Sequence, residues 1–122
     1  MAGDFRRTIC VDFDGVIHSY TSGWKGVDII PDPPVEGAIE WLQEMVKHFQ
    51  VAIFSSRSSN GGAIIAMRVY LEKHGLPRDV LRKINFPTTK PAAHLSIDDR
   101  GFCFTGAFPG ADEISAFKPW YK

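Results

Sequence analysis

Thr8-Ile9-Cys10-Val11 runs straight into Asp12-Phe13-Asp14-Gly15-Val16-Ile17, and few folds accept such a stretch. An apolar run of this length, closed by a turn signal, reads as a strand from Thr8 to about Phe13, buried in a parallel sheet. Parallel sheets take their ligands beyond the carboxyl ends of their strands. Asp12 and Asp14 stand at such an end. Two carboxylates held this close repel each other unless a cation lies between them, so the pair asks for a metal.

The remaining chain alternates strands with helices. Asp32-Pro33-Pro34 has the chemistry of a helix start, with Asp as N-cap and Pro in the first turn. Val35, Ala38, Ile39, Leu42, Met45, Val46 and Phe49 then recur at helical spacing. Val51-Ala52-Ile53-Phe54 is a second apolar strand, and it empties into Ser55-Ser56-Arg57-Ser58-Ser59-Asn60-Gly61-Gly62, a loop suited to phosphate. A second helix is expected from about Gly62 to His74, stopped by Gly75 with Pro77 beyond it. Ile84-Asn85-Phe86 makes a short third strand, and Leu95-Ser96-Ile97 a fourth that ends on Asp98-Asp99. Phe102-Cys103-Phe104-Thr105 reads as a further strand, and Asp112 to Tyr121 as a last short helix or aromatic tail. Between Val16 and Pro34, β-prone residues flank Ser22-Gly23-Trp24-Lys25-Gly26, which predicts a flap-like hairpin, about 16–31, over the carboxylates. The fold class is α/β: a three-layer, Rossmann-like parallel sheet flanked by helices, in a single domain over 1–122.

Composition narrows the function. Lys plus Arg equal Asp plus Glu at 14 each, which argues against a protein that coats long nucleic acid or an anionic membrane. No apolar stretch is long enough to span a bilayer. The two cysteines, Cys10 and Cys103, lie in apolar runs and read as small buried hydrophobes. Without a signal peptide or a cysteine framework, the expected compartment is the cytoplasm. Phe104, Phe108, Phe117, Trp120 and Tyr121 read as closing the core, with a dimer contact open, so a monomer or a homodimer is expected.

The polar strand ends form an ordered set: Asp12 with Asp14, then Ser55, then Lys90, then Asp98 with Asp99. Their order and local contexts resemble the haloacid dehalogenase superfamily, which consists largely of phosphohydrolases. The first motif of that family, an apolar strand followed by Asp-x-Asp-Gly-(Thr/Val)-(Leu/Ile), is matched throughout by Asp12-Phe13-Asp14-Gly15-Val16-Ile17. The second, an apolar strand ending in Ser or Thr, is matched at Ser55, with Ser56 as a rival. The third, a lone Lys, is matched at Lys90. The fourth, an apolar strand ending in acidic residues, looks like Ser96-Ile97-Asp98-Asp99-Arg100. A phosphorylated receiver domain uses similar residues in another order, with its phosphorylated Asp alone in mid-chain at a strand end, and no lone strand-end Asp stands between Ser55 and Lys90.

The chemistry suits these residue types. Carboxylates with a backbone carbonyl are hard oxygen ligands for Mg²⁺. Asp12 would attack phosphorus and form an aspartyl-phosphate. Asp14 would protonate the leaving oxygen and then take a proton from the hydrolytic water. Ser55 would hydrogen-bond the phosphoryl oxygens, and Lys90 would neutralise their charge. The resemblance implies a metal site from Asp12, Asp14 (through its carbonyl), Asp98 and Asp99, with Asp99 the direct ligand of the last pair. Gly15, Ser56, Arg57 and Lys25 are candidates for substrate contact, and for Arg57 a salt bridge to one of the carboxylates is an equal reading. Tyr20 and Trp24 read as packing of the flap on the sheet.

Larger members of the family insert a cap domain after the first motif or between the second and third. Here Gly15 to Asp32 and Ser56 to Thr89 leave no room for one. An open site suits a phosphoprotein or a nucleic-acid end, and a small phosphoester fits if the flap or a second subunit closes it. The expected activity is Mg²⁺-dependent phosphate ester hydrolysis. The alternative is a catalytically idle module of the same fold that binds a phosphorylated partner or metabolite.

Overall fold

The computed structural model describes residues 6–122. Among the described residues there are four strands: β1 (Thr8–Val11), β2 (Gln50–Ile53), β3 (Ile84–Asn85) and β4 (Leu95–Ile97). They form one all-parallel sheet in the order β3-β2-β1-β4. The chain steps from β1 to β2 to β3 in one direction and then crosses back to place β4 on the other side of β1. The strand order therefore reverses at β1, and open α/β sheets bind ligands in the crevice beside such a reversal.

Register follows from side-chain alternation. Ile9 pairs with Val51 and Val11 with Ile53, so their side chains fall on one face, while Cys10 and Ala52 fall on the other. All six are buried. The helices α1 (Ala38–Met45) and α2 (Gly61–Lys73) flank the sheet and supply Leu42, Met67 and Leu71 to the same core. Asn60 caps α2 by accepting from the Ala63 N–H at 3.1 Å, and Gly75 ends it in a left-handed conformation, φ 100°. A single turn, α3 (Arg78–Leu81), precedes β3, and α4 (Ala111–Ala116) follows β4.

The first helix does not start at Asp32. The residue before a proline is pushed out of the helical region, so Pro33, which precedes Pro34, cannot open a helix, and the stretch bends at Asp32 and bridges to His18 at Pro34. It runs beside the 16–31 loop instead, with Val35 N–H donating to the Ile17 carbonyl (2.8 Å) and Ser19 N–H to that of Pro33 (3.0 Å). Gly37, at φ 85°, then turns the chain into α1. The Asp32 carboxylate caps no helix; it accepts from Ser22 N–H (2.7 Å) and Ser22 Oγ–H (2.5 Å). The 16–31 segment is a loop, not a hairpin: Tyr20, Gly23 and Gly26 take positive φ, and only isolated bridges at His18 form. Residues 102–105 form no strand; the chain bends at Asp99–Arg100, directly after β4. Cys103 is exposed in consequence, although Cys10 is buried. Phe104, Phe108, Phe117 and Trp120 do not close the core either, and Phe108 is 88% exposed. No described helix is long and apolar enough to cross a membrane.

Candidate functional site

Beyond the carboxyl ends of β1, β2 and β4 lies one cavity of about 340 Å³. Asp12, Asp14, Ser55, Ser56, Lys90, Asp98 and Asp99 all line it, although they come from four separate stretches of chain. Asp12 follows β1, and its backbone N–H continues the ladder to the Ile97 carbonyl (2.9 Å). This bond sets Asp12 beside the end of β4, so the two acidic strand ends meet. Carboxylate oxygens of Asp12, Asp98 and Asp99 lie within 4.8 Å of one another.

Burial pushes the Asp12 carboxyl up to about 8, and its closeness to the Asp99 carboxyl, near enough to share a proton, adds to the shift. The Phe13 N–H, donating to Asp12 Oδ1 at 2.8 Å, opposes the shift only in part. A hard divalent cation suits this donor set: three carboxylates converge, at least one is kept protonated when no positive charge is present, and every donor is oxygen.

Asp14 points elsewhere. Its Oδ1 accepts from His18 Nδ1–H (2.8 Å) and from Arg57 Nη2–H (3.2 Å), and its Oδ2 from Arg57 Nε–H (2.8 Å). Burial alone would raise its carboxyl, but His18 and Arg57 hold it below the ordinary carboxylate range. His18 is wholly buried, and its Nε2 accepts the Asp32 N–H at 3.1 Å, which fixes Nδ1 as the donor toward Asp14. Arg57 therefore takes the ion-pair role rather than lining the cavity. Its Nη1 donates to the carbonyls of Gly26 (2.7 Å) and Val27 (2.8 Å), and the Trp24 ring lies 4.7 Å from the guanidinium carbon.

Ser55 is buried and faces the cavity, while Ser56 is exposed at its edge. Ser55 Oγ accepts the Arg57 N–H at 3.0 Å, which leaves the serine O–H to donate to a ligand. Lys90 is exposed at the rim. Gly15 packs under the site instead of lining it: at φ 82°, a Cβ there would stand 2.8 Å from Asp99 Cγ and from Tyr121 Cε1. Lys25 is exposed on the 16–31 loop and does not line the cavity.

Sequence reasoning assigned Tyr20 and Tyr121 to packing, yet both line the cavity together with Arg100. Tyr121 O–H donates to Asp99 Oδ2 at 2.8 Å. No spacing pattern announces a contact between the chain's second-last residue and a strand end 22 positions earlier. No protein-family model, curated protein or solved structure matches this chain.

Proposed function

We propose that the protein is a phosphatase of the haloacid dehalogenase type, dependent on Mg²⁺ and acting through an aspartyl-phosphate on Asp12. The observation that carries this reading is the convergence of three polar strand ends, those of β1, β2 and β4, and of Lys90 from the loop before β4 on one cavity at the point where strand order reverses. Asp12, Asp98 and Asp99, with the Asp14 carbonyl, would hold the metal, which when bound offsets the negative charge of the phosphoryl group and of the attacking carboxylate.

Asp12 attacks phosphorus, and the ester oxygen leaves. Ser55 donates its free O–H to a phosphoryl oxygen, and Lys90 supplies a positive charge from the rim. The pair of donors on Asp14 keeps it a carboxylate, the form that takes a proton from water as the aspartyl-phosphate is hydrolysed. In the preceding half-reaction Asp14 carries a proton to the leaving oxygen, and one of those two contacts must open. The substrate is a phosphate monoester whose leaving group extends out of a cavity with no cap over it: a small phosphoester, a phosphoprotein or a nucleic-acid end.

Release of phosphate from an aryl phosphate, with Mg²⁺ and with chelator, for the natural chain and for Asp12→Asn, tests the reading. Metal-dependent turnover that vanishes in the variant is expected. Turnover unchanged by Asp12→Asn would overturn it. If neither protein turns over, metal-dependent capture of beryllofluoride, a phosphoryl mimic, at Asp12 separates a narrow enzyme from an idle binding module.

A further inference from the structure

From Gly101 to Lys122 nearly every side chain is exposed, and α4 buries none of its residues. The tail after α4 nevertheless returns to the site. Pro119 is buried there. Trp120 Nε1–H donates to the Gly15 carbonyl at 2.7 Å, and Tyr121 O–H donates to Asp99 Oδ2 at 2.8 Å. Tyr20 meets the Tyr121 ring edge-on, with centroids 6.1 Å apart. The two hydrogen bonds grip both banks of the cavity, one on the turn after β1 and the other on a carboxylate beyond β4.

We infer that the Pro119–Tyr121 tail is a working part of the site and that Tyr121 is a positioning residue for Asp99, an inference that rests on the metal reading above. A carboxylate that ligates a cation needs one oxygen held toward the ion, and a hydrogen bond to it from outside the ligand set fixes that orientation. The Tyr121 phenol makes such a bond. Core packing does not account for it, because Trp120 is 65% exposed and the preceding helix is unburied. Gly15 lacks the one atom that would collide with both Asp99 and the Tyr121 ring, so the turn after β1 leaves the seat the tail occupies. Trp120 sets the register that brings Tyr121 onto Asp99.

The test uses the full chain and its Tyr121→Phe and Trp120→Phe variants. Binding of Mn²⁺, as a spectroscopic substitute for Mg²⁺, is read by electron paramagnetic resonance, alongside the Mg²⁺ dependence of aryl phosphate turnover. Tyr121→Phe is expected to weaken Mn²⁺ binding about tenfold with thermal unfolding unchanged. Saturating Mg²⁺ should restore kcat in that variant while KM for the aryl phosphate stays put, a pattern that damage to the fold would not produce. Trp120→Phe should weaken binding in the same direction by less. Natural-chain Mn²⁺ binding that Tyr121→Phe leaves unaltered would overturn the inference alone. A natural chain that binds no Mn²⁺ would overturn the metal reading and this inference with it.

Discussion

Arg57 Nε–H donates to Asp14 Oδ2 at 2.8 Å from a guanidinium that is wholly buried. The same side chain reaches the carbonyls of Gly26, Val27 and Ile29 through Nη1. One arginine thus ties the loop after β2 to the 16–31 loop and to the second carboxylate of the site. A buried charge is tolerable only when paired and fully hydrogen-bonded, and Arg57 meets both conditions.

Arg57→Met should therefore cost about 3–5 kcal/mol of folding stability, because it strips the half-buried Asp14 carboxylate of its guanidinium partner, leaving His18 as its donor, and takes a donor from the carbonyls of Gly26, Val27 and Ile29. Arg57→Lys keeps the charge but not the planar fork that serves both Asp14 oxygens, so it should fall between the two. Equilibrium unfolding in urea measures this. A loss under about 1 kcal/mol for Arg57→Met, the range of exposed pairs, would mean that the pair is not holding the loop.

Asp12 carries the opposite sign. Its carboxyl is raised from 3.8 to about 8 in the fold, so the protonated form is the one the native state favours. The stability this contributes is full below about pH 4 and is lost as pH rises through 8. Asparagine cannot ionise. In chelator, Asp12→Asn should be more stable than the natural chain at pH 9, by a few kcal/mol at about 1.4 kcal/mol per pKa unit, and should lose that advantage toward pH 4. Urea unfolding at the two pH values checks the sign. A variant less stable than the natural chain at pH 9 would contradict the account of Asp12 as a carboxyl raised by burial beside Asp99.

The same shift links metal to protons. An ion bound by Asp12 must displace the proton that Asp12 holds below pH 8. Mg²⁺ affinity should rise as pH increases from 6 to 9, with about one proton released per ion at the lower pH. Added Mg²⁺ should accordingly raise Tm more at pH 9 than at pH 6. Calorimetric titration in two buffers of different ionisation enthalpy counts the protons. Affinity flat across that range would place the ion away from Asp12.

The parts of the fold legible in the sequence are those where one local signal decides the outcome. The apolar runs at Ile9–Val11 and Val51–Ile53 form the two central strands, and the Gly75 signal ends α2 as read, whereas the Asn60 cap at its start is seen only in the fold. That Asp12, Ser55, Asp98 and Asp99 line one cavity follows from their places at strand ends, and Lys90 reaches its rim from the loop before β4. Failures came where distant residues compete for a local signal. Asp32 has the residue type of a cap, but Ser22 takes its carboxylate, and the chain bridges at Pro34 and turns at Gly37 before α1 begins. Phe102–Thr105 has strand composition but finds no partner beside a three-residue β4. Arg57 could be placed only between two roles, since its choice depends on how the 16–31 loop folds. Tyr121 is illegible because its contact with Asp99 is created entirely by the return of the tail.

Gly15 offers a test that separates backbone strain from collision. It sits at φ 82°, and Gly37 at φ 85°, so alanine at either position meets the same left-handed penalty, about 1 kcal/mol. Around Gly37 there is nothing within 4 Å of an added Cβ, whereas at Gly15 it would stand 2.8 Å from Asp99 Cγ and Tyr121 Cε1. Gly37→Ala should lose only the strain term and keep Mn²⁺ binding. Gly15→Ala must also shift Asp99 or expel the Tyr121 ring, and either movement spoils the acidic cluster. Its stability loss should exceed that of Gly37→Ala, and its Mn²⁺ binding should fall more than that of Tyr121→Phe, since it disturbs the ligand itself as well as the group that orients it. Equal behaviour of the two alanine variants would show that the turn after β1 has slack to absorb the methyl, and that the close approach of Gly15, Asp99 and Tyr121 is not what shapes the site.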